Sequence, residues 1–281
     1  MSTTGCTISS LLLRDGARLH YRDAGAGAAV IFLHGWGASG DFFERQVPLA
    51  TPALRLIVPD QRGHGQSSPA RPRGELSIAL LAADLGELIA HLGLARFSLV
   101  GWSMGAMVAW EYLRRYGADR LDKLCVLDMT PKIVTDDAWP YGLTGGYPDT
   151  MVAPTAAAVR ANWERFAQVS AAKLFARSAA PAPALLQRFS ALMGANAPEG
   201  LAQLWTDMAR QDYRALLPSL GRRCQYIYGK ESRLYNEETF THLARMTGTD
   251  ALVGLAGAGH APQWEQPQAF ASALLSHLNS N

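Results

Sequence analysis

A serine flanked by glycines lies between a predicted strand and a predicted helix. Residues 101–105 read Gly-Trp-Ser-Met-Gly; they follow the apolar run FSLV at 97–100 and open the helical pattern Met104–Tyr116. A serine at such a tight turn is held at the helix N-terminus, where backbone N–H groups and the helix dipole favour negative charge. Glycines flank it because larger side chains would collide with the strand or the helix. Ser103 is therefore the candidate nucleophile, and its alternative role is that of a helix cap.

A second glycine-rich turn is a candidate for stabilising negative charge. Residues 32–37 read Phe-Leu-His-Gly-Trp-Gly and follow the predicted strand 29–33. A tetrahedral intermediate needs two donors directed at its oxyanion. The backbone N–H groups of Met104 and Trp36 are the expected pair. His34 is expected to hydrogen-bond neighbouring loops rather than to act as a base.

A histidine near the end of the chain is the candidate base. Residues 257–262 read Gly-Ala-Gly-His-Ala-Pro and follow the last predicted strand, 251–255. A serine hydroxyl is a poor nucleophile unless a base takes its proton, and imidazole titrates near neutral pH. His260 is favoured because a glycine-rich loop after a strand can carry it to the serine. The competing histidines lie in strands, turns or helical surfaces: His20, His34, His64, His91, His242 and His277.

Strands and helices alternate along most of the chain. The predicted strands are 19–22, 29–33, 54–58, 97–100, Leu121–Leu127, 224–228 and 251–255, and the predicted helices are 76–92, Met104–Tyr116, 237–246 and Pro267–Leu278. This alternation predicts a mostly parallel sheet covered by helices on both faces. Residues 131–218 contain no predicted strand and have apolar residues at helical spacing, so they are expected to form a helical cap. The predicted division is a core of 1–130 and 219–281 with a cap of 131–218.

Composition excludes several classes of protein. The 281 residues are 48% hydrophobic and 18% charged, which provides a large core and excludes wholesale disorder. The net charge is only +2 and no basic run occurs, so a nucleic-acid binder is not expected. Cys6, Cys125 and Cys224 lack metal-site spacing and favour a reducing compartment. Neither a signal peptide nor a transmembrane stretch is recognisable, so a cytoplasmic protein is expected.

Four motifs carry a resemblance to a known family. HGWGAS, DQRGHGQS, GWSMG and GAGHAPQWEQP, in this order, resemble the α/β-hydrolase superfamily over most of the chain outside the cap. The HGWG and GWSMG pair resembles in particular the pimeloyl-ACP methyl ester esterase-like carboxylesterases. The resemblance implies an α/β-hydrolase fold with a mostly parallel eight-stranded sheet and a helical lid after the sixth strand. It also implies a catalytic triad in the order serine, acid, histidine.

The acid of that triad departs from the family pattern. The family places an aspartate after the seventh strand in a Gly-x-x-Asp motif, but residues 229–232 read Gly-Lys-Glu-Ser. Asp128 closes the sixth strand at the sheet edge where sites gather, so it could orient His260. Glu231 is one position early but has a longer side chain. Asp128 is the favoured acid, Glu231 is the alternative, and a third possibility is that neither carboxylate serves.

These residues together predict a serine hydrolase acting on an ester or thioester with a mostly apolar acyl group, free or attached to a carrier. Ser103 would attack the carbonyl, His260 would transfer protons, and no metal or organic cofactor is expected. Trp36, Trp102, Trp139 and Trp163 are the candidate pocket residues. An acyltransferase with the same acyl-enzyme is the main alternative; carbon–carbon bond hydrolysis and perhydrolysis use similar triads. A non-catalytic small-molecule binding protein on the same scaffold is a further alternative.

Overall fold

Eight strands form one sheet in the computed structural model, which describes residues 5–67, 75–178 and 180–280. The strands are β1 (Cys6–Leu12), β2 (Arg18–Ala24), β3 (Ala28–Leu33), β4 (Leu54–Pro59), β5 (Phe97–Trp102), β6 (Leu121–Leu127), β7 (Cys224–Gly229) and β8 (Leu252–Leu255). Their order is β1-β2-β4-β3-β5-β6-β7-β8, with β1 and β2 antiparallel to their neighbours and all later pairings parallel. The predicted fold class is confirmed.

Strand β1 was not predicted by the sequence analysis, and neither was the short helix at Pro262–Glu265. Strand β1 pairs with β2 at the edge of the sheet, and none of its seven residues is buried. An exposed edge strand has no need of the apolar runs that mark the central strands, so the hydrophobic pattern gives little signal there. The central strand β3, by contrast, is buried from Ala29 to Leu33.

Helices cover both faces of the sheet. They are α1 (Ile78–His91), α2 (Met104–Tyr116), α3 (Val152–Ala161), α4 (Trp163–Lys173), α5 (Pro183–Gly194), α6 (Pro198–Arg210), α7 (Glu237–Thr247), α8 (Pro262–Glu265) and α9 (Pro267–Leu278). Alternate residues of β3 enter different apolar clusters: Ile31 and Leu33 pack on one side, and Val30 and Phe32 on the other. This two-sided burial explains the continuous apolar strands. Within the described ranges, no helix has the length and apolarity to span a membrane.

Helices α3 to α6 lie between β6 and β7, where the sequence predicted an insertion. Helix α3 packs on α6, and α4 packs on α5. Prolines occupy the first turns of α5 and α6, where their missing N–H groups are tolerated. The insertion is attached to the core by hydrogen bonds: the Trp36 Nε1 donates to the Leu201 carbonyl at 2.9 Å, and the Ile78 N–H donates to Asp207 Oδ2 at 2.7 Å.

A buried guanidinium joins three segments of the core. Arg62, in the turn after β4, is 2% exposed and donates through Nε and Nη2 to both carboxylate oxygens of Asp84 on α1, each at 2.7 Å. Its Nη1 donates to Asp15 Oδ2, in the β1–β2 turn, at 2.7 Å. Burial raises the pKa of Asp84 and the bidentate contact with Arg62 opposes that rise. The polar turn after β4 therefore includes a structural ion-pair network.

Replacing Arg62 with Met should lower the free energy of unfolding by roughly 3–5 kcal/mol, because the Asp84 carboxylate would stay buried without its partner. Arg96→Met is the matched control, because its ion pair with Asp122 is largely exposed and should contribute about 1 kcal/mol or less. Urea unfolding of both variants measures the difference. Equal losses in the two variants would contradict a structural role for the buried pair.

Candidate active site

The backbone at Ser103 forms a strained strand-to-helix turn. Ser103 joins β5 to α2 with φ 53° and ψ −123°, a conformation that non-glycine residues rarely adopt. A Cβ at Gly101 would lie 2.5 Å from the Cα of Ala106, and a Cβ at Gly105 would overlap the carbonyl oxygen of Leu33. Glycine is therefore required on both sides, as the sequence indicated. The Ser103 side chain makes no capping hydrogen bond to α2.

A buried carboxylate contacts the candidate histidine. His260 Nδ1 lies 2.6 Å from Asp128 Oδ2, and the two residues are 2% and 0% exposed. Asp128 follows β6 directly, has φ 44°, and donates its backbone N–H to the Ile227 carbonyl on β7 at 2.9 Å. An Nδ1–H donor leaves Nε2 of the same ring as the proton acceptor. The structure thus brings the sixth-strand acid to the histidine 132 residues later.

The other candidate acid, Glu231, points elsewhere. Its Oε2 accepts a hydrogen bond from the Ser178 N–H at 3.0 Å, and its backbone carbonyl accepts one from the Arg177 N–H at 3.2 Å. Its own N–H donates to the Ala258 carbonyl at 2.9 Å. Hydrogen bonds from Ser178 lower the pKa of the Glu231 carboxyl group. Glu231 therefore joins the inserted segment to the loop of His260 and has no contact with the imidazole.

Ser232 occupies the position at which the family motif has its aspartate. Its Oγ donates to Asp128 Oδ2 at 2.7 Å and accepts from the Leu234 N–H at 3.2 Å, and the residue is fully buried. The same carboxylate oxygen therefore receives hydrogen bonds from both Ser232 and His260, while Asp128 Oδ1 has no partner among the described residues. Sequence reasoning noted this serine as a departure and missed its contact with the other carboxylate.

The loop that carries His260 is held from two directions. Glu265 Oε2 accepts from the Gly259 N–H at 2.6 Å, and its Oε1 accepts from the Ala176 N–H of the inserted segment at 2.8 Å. Burial raises the pKa of Glu265, and these backbone hydrogen bonds oppose the rise. On the core side, Trp102 Nε1 donates to the His260 carbonyl at 2.6 Å. Glu265 was present in the motif GAGHAPQWEQP, but its spacing alone gave no indication of this role.

The glycine-rich turn after β3 lies against the serine. A Cβ added to Gly35 would be 3.2 Å from the Cβ of Ser103, so the turn passes directly over the candidate nucleophile. Met104 is the first residue of α2, where the N–H has no intrahelical acceptor. No hydrogen bond within residues 5–67, 75–178 and 180–280 uses the backbone N–H of Trp36 or of Met104.

Two buried histidines fix that turn. His34 Nδ1 lies 2.9 Å from the Gly35 carbonyl, and its Nε2 accepts from the Gln61 N–H at 2.9 Å. His64 Nε2 accepts from the Gly37 N–H at 3.1 Å, and the two rings pack edge to face. Burial lowers the pKa of His34 to about 4 and that of His64 to about 3. Both rings are therefore neutral, and His34 hydrogen-bonds neighbouring loops as expected.

A cavity of about 670 Å³ opens beside the serine and the histidine, with Ser103, His260 and Trp36 in its wall. Much of the remaining wall is apolar and includes Met129, Ile133, Leu143, Tyr147, Phe166 and Trp205. Many of these side chains belong to the segment between β6 and β7, far in sequence from the serine. Among the described residues, no group of three or more metal-ligating side chains is placed to hold a metal ion.

Three of the four candidate pocket tryptophans lie outside the cavity wall, in contrast to Trp36. Trp102 is 1% exposed, and its Nε1 is bonded to a backbone carbonyl as described above. Trp139 Nε1 donates to the Lys132 carbonyl at 2.9 Å, and Trp163 packs edge to face behind Trp36. Buried indoles need a partner for the ring N–H, and all three of these rings find it in a backbone carbonyl, that of Trp163 being the carbonyl of Met193 at 2.9 Å. These three side chains pack within the protein and are not among the residues that line this cavity.

The neutral state of His34 and His64 predicts a specific loss of stability in acid. Below pH 6.5 the unfolded chain binds protons at these rings while the folded protein does not, so the free energy of unfolding should fall as the pH drops toward 4. His64→Gln keeps an acceptor for the Gly37 N–H but removes the titration. The His64→Gln variant should therefore lose less free energy of unfolding than wild type between pH 6.5 and 4, by on the order of 3 kcal/mol.

Urea unfolding at a series of pH values measures this effect, with the exposed His91→Gln variant as control. The difference between variant and wild type isolates the one ring from other titrating groups. A His64→Gln curve that runs parallel to wild type at all pH values would show that the ring is not held neutral by the fold.

Known proteins resemble this chain over nearly its whole length. It is 28% identical over 260 residues to a pimeloyl-[acyl-carrier protein] methyl ester esterase from Chromobacterium violaceum, which covers 91% of this chain and 96% of that protein. A thermophilic esterase from Thermogutta terrifontis has a TM-score of 0.83 at 26% identity, covering 98% and 100% of the two chains. A bromoperoxidase from Bacillus anthracis shares the fold, with a TM-score of 0.86 at 23% identity over 98% and 100%. The family model of the alpha/beta hydrolase fold matches residues 28–267, and the chain therefore belongs to the α/β-hydrolase family of enzymes, as its motifs indicated.

Proposed function

We propose that the chain is a serine hydrolase that cleaves a carboxylic ester or thioester with a mostly apolar acyl group. The observation that carries the proposal is the buried hydrogen bond between His260 Nδ1 and Asp128 Oδ2, 2.6 Å long, beside a cavity that Ser103 and His260 line together. A carboxylate, an imidazole and a strained serine in this arrangement match the parts of a nucleophilic triad. The acid in this proposal is Asp128.

The reaction begins when the Ser103 Oγ attacks the carbonyl carbon of the substrate and His260 Nε2 takes the hydroxyl proton. The resulting imidazolium is held and stabilised by its hydrogen bond to the Asp128 carboxylate. His260 then gives the proton to the departing alcohol or thiol, leaving an acyl group on Ser103. Water, deprotonated by His260, attacks this acyl-enzyme, and collapse of the second intermediate releases the acid and returns the proton to Ser103.

The backbone N–H groups of Trp36 and Met104 are the proposed donors to the oxyanion. Support comes from the close approach of Gly35 to Ser103 and from the position of Met104 at the start of α2. Such donors stabilise charge that develops only in the transition state. The neutral rings of His34 and His64 hold the turn that presents Trp36.

The residues that line the cavity support a substrate with an apolar acyl group. Its largely apolar wall favours a hydrocarbon acyl group, and residues 131–218, which supply much of that wall, are proposed to act as the cap. Relatives from Chromobacterium violaceum and Vibrio vulnificus are named as esterases of a methyl ester on an acyl-carrier protein. The proposed substrate is thus a small ester or thioester, free or attached to a carrier.

Ser103→Ala should nearly abolish ester hydrolysis, because the proposed acyl-enzyme forms on the Ser103 hydroxyl. The measurement is release of p-nitrophenol from esters of acetate through dodecanoate. A fall in kcat of about 10⁶ is expected, and the best chain length reports the depth of the pocket. The exposed Ser272→Ala variant on α9 is the matched control. A phosphonate adduct on Ser103 without turnover would favour the acyltransferase, and neither adduct nor turnover would favour a binding protein.

Asp128→Asn should lower kcat by about 10⁴, whereas Glu231→Gln should change it little, because only the first carboxylate contacts His260. The double variant Asp128→Asn with Ser232→Asp should recover part of the lost activity. The Ser232 Oγ lies 2.7 Å from Asp128 Oδ2, the oxygen that contacts His260, so a carboxylate at position 232 would lie close to the same imidazole. Steady-state kinetics on the best p-nitrophenyl ester compares the four proteins. Loss of activity in Glu231→Gln with retention in Asp128→Asn would overturn the assignment.

A further inference from the structure

The charge in the cavity wall has one sign. Lys173, near the end of α4, and Arg233, in the loop after β7, both line the cavity. Apart from these cations and the titratable His260, the described residues of the wall are uncharged, and none of them is an aspartate or glutamate. A cleft lined by a single sign of charge raises the local concentration of ligands of the opposite sign.

Neither cation is neutralised by a carboxylate of the described chain. No described acidic side chain lies within ion-pair distance of Lys173 or Arg233, and the one hydrogen bond of the Arg233 guanidinium goes to the Arg177 carbonyl at 3.3 Å. The neighbouring Glu231 carboxylate accepts instead from the Ser178 N–H. Within the described ranges, several arginines outside the cavity do pair with carboxylates: Arg22, Arg55, Arg62, Arg96, Arg114, Arg115, Arg160, Arg188 and Arg214. Others donate to backbone carbonyls, as Arg233 does: Arg45, Arg120 and Arg223. The two cations at the cavity thus retain donors for a ligand.

Both cations stand next to residues that are fixed to the proposed catalytic groups. Lys173 precedes Leu174, whose carbonyl accepts a hydrogen bond from the N–H of Ala261, the residue after the proposed base, at 3.0 Å. Arg233 follows Ser232, whose hydroxyl donates to the carboxylate that contacts the same histidine. The hydrogen bonds that position the base therefore also hold the backbone next to both cations.

We infer that the substrate carries a carboxylate in addition to its ester or thioester, and that Lys173 and Arg233 bind this carboxylate while the apolar wall holds the hydrocarbon. The inference rests on the proposed function. It narrows the proposed substrates to esters or thioesters that also carry a free carboxylate. Charge-assisted hydrogen bonds from ammonium and guanidinium groups to a carboxylate are stronger than neutral ones. The carboxylate can belong to the acyl chain or to the leaving group, and matched substrates distinguish these two positions.

The test compares kcat/KM for ester pairs that differ only in the carboxylate. Mono-p-nitrophenyl adipate against p-nitrophenyl hexanoate places the charge on the acyl chain, and 4-carboxyphenyl hexanoate against phenyl hexanoate places it on the leaving group. One pair should show a preference of about tenfold for the anionic ester, expressed mainly in KM and weakened by salt. Lys173→Met and Arg233→Met should each remove most of this preference, whereas Lys173→Arg should keep it.

Arg165→Met is the matched control. Arg165 lies on α4 with Lys173, is exposed and does not line the cavity, and its replacement changes the net charge as much as Lys173→Met does. It should leave the preference intact. Serine-dependent turnover with no anionic preference in either pair, or an equal loss in Arg165→Met and Lys173→Met, would overturn the inference and leave the proposed function standing.

A binding measurement separates the inference from failure of the proposed function. Should ester turnover be absent, calorimetric binding of monoethyl adipate and ethyl hexanoate to the Ser103→Ala protein still compares anionic with neutral ligands. Tighter binding of the adipate monoester, lost in Lys173→Met, supports the inference. Equal binding of the two esters contradicts it.

Discussion

The buried hydrogen bond between Asp128 and His260 determines which donors must surround the carboxylate and which backbone conformation Asp128 must adopt. A carboxylate with no exposed surface is costly unless donors compensate it, and here His260 and Ser232 both donate to a single oxygen. Asp128 reaches this position only because its backbone adopts φ 44° and is anchored to β7 through Ile227. The strained backbone at the acid parallels that at Ser103, so two consecutive strand ends, those of β5 and β6, store strain at the same edge of the sheet.

Several buried polar side chains near this edge of the sheet form hydrogen bonds to backbone groups. These hydrogen bonds compensate the free-energy cost of removing the side chains from water. His34 and His64 stay neutral and bond the turn over Ser103, while Glu265 joins the loop of His260 to the loop between α4 and α5. A neutral imidazole suits this role because one nitrogen donates and the other accepts. The proposed catalytic side chains are therefore held in place by a surrounding layer of buried hydrogen bonds.

Sequence reasoning found what depends on local chain chemistry and missed what depends on distant contacts. The turn at Ser103 was predictable because strand, glycines and helix are contiguous, and the parallel sheet was predictable because its strands are apolar on both faces. Strand β1 was missed because its residues stay exposed. Trp139 was a candidate pocket residue because of its type, yet its indole bonds the local backbone. The contact of Ser232 with Asp128 joins two loops 104 residues apart, which no motif spacing can indicate.

The proposed catalytic residues and much of the cavity wall lie in different parts of the chain. Membership of the family therefore does not identify the substrate. The proposed nucleophile, base and acid all lie at strand ends or in loops of the sheet, so any change in the sheet register would disturb them together. Much of the cavity wall, by contrast, belongs to residues 131–218 between β6 and β7. Proteins named as esterases and as a bromoperoxidase share this fold at low identity. Specificity must therefore be argued from the residues of the wall, and among the described residues of this wall Lys173 and Arg233 are the two cations.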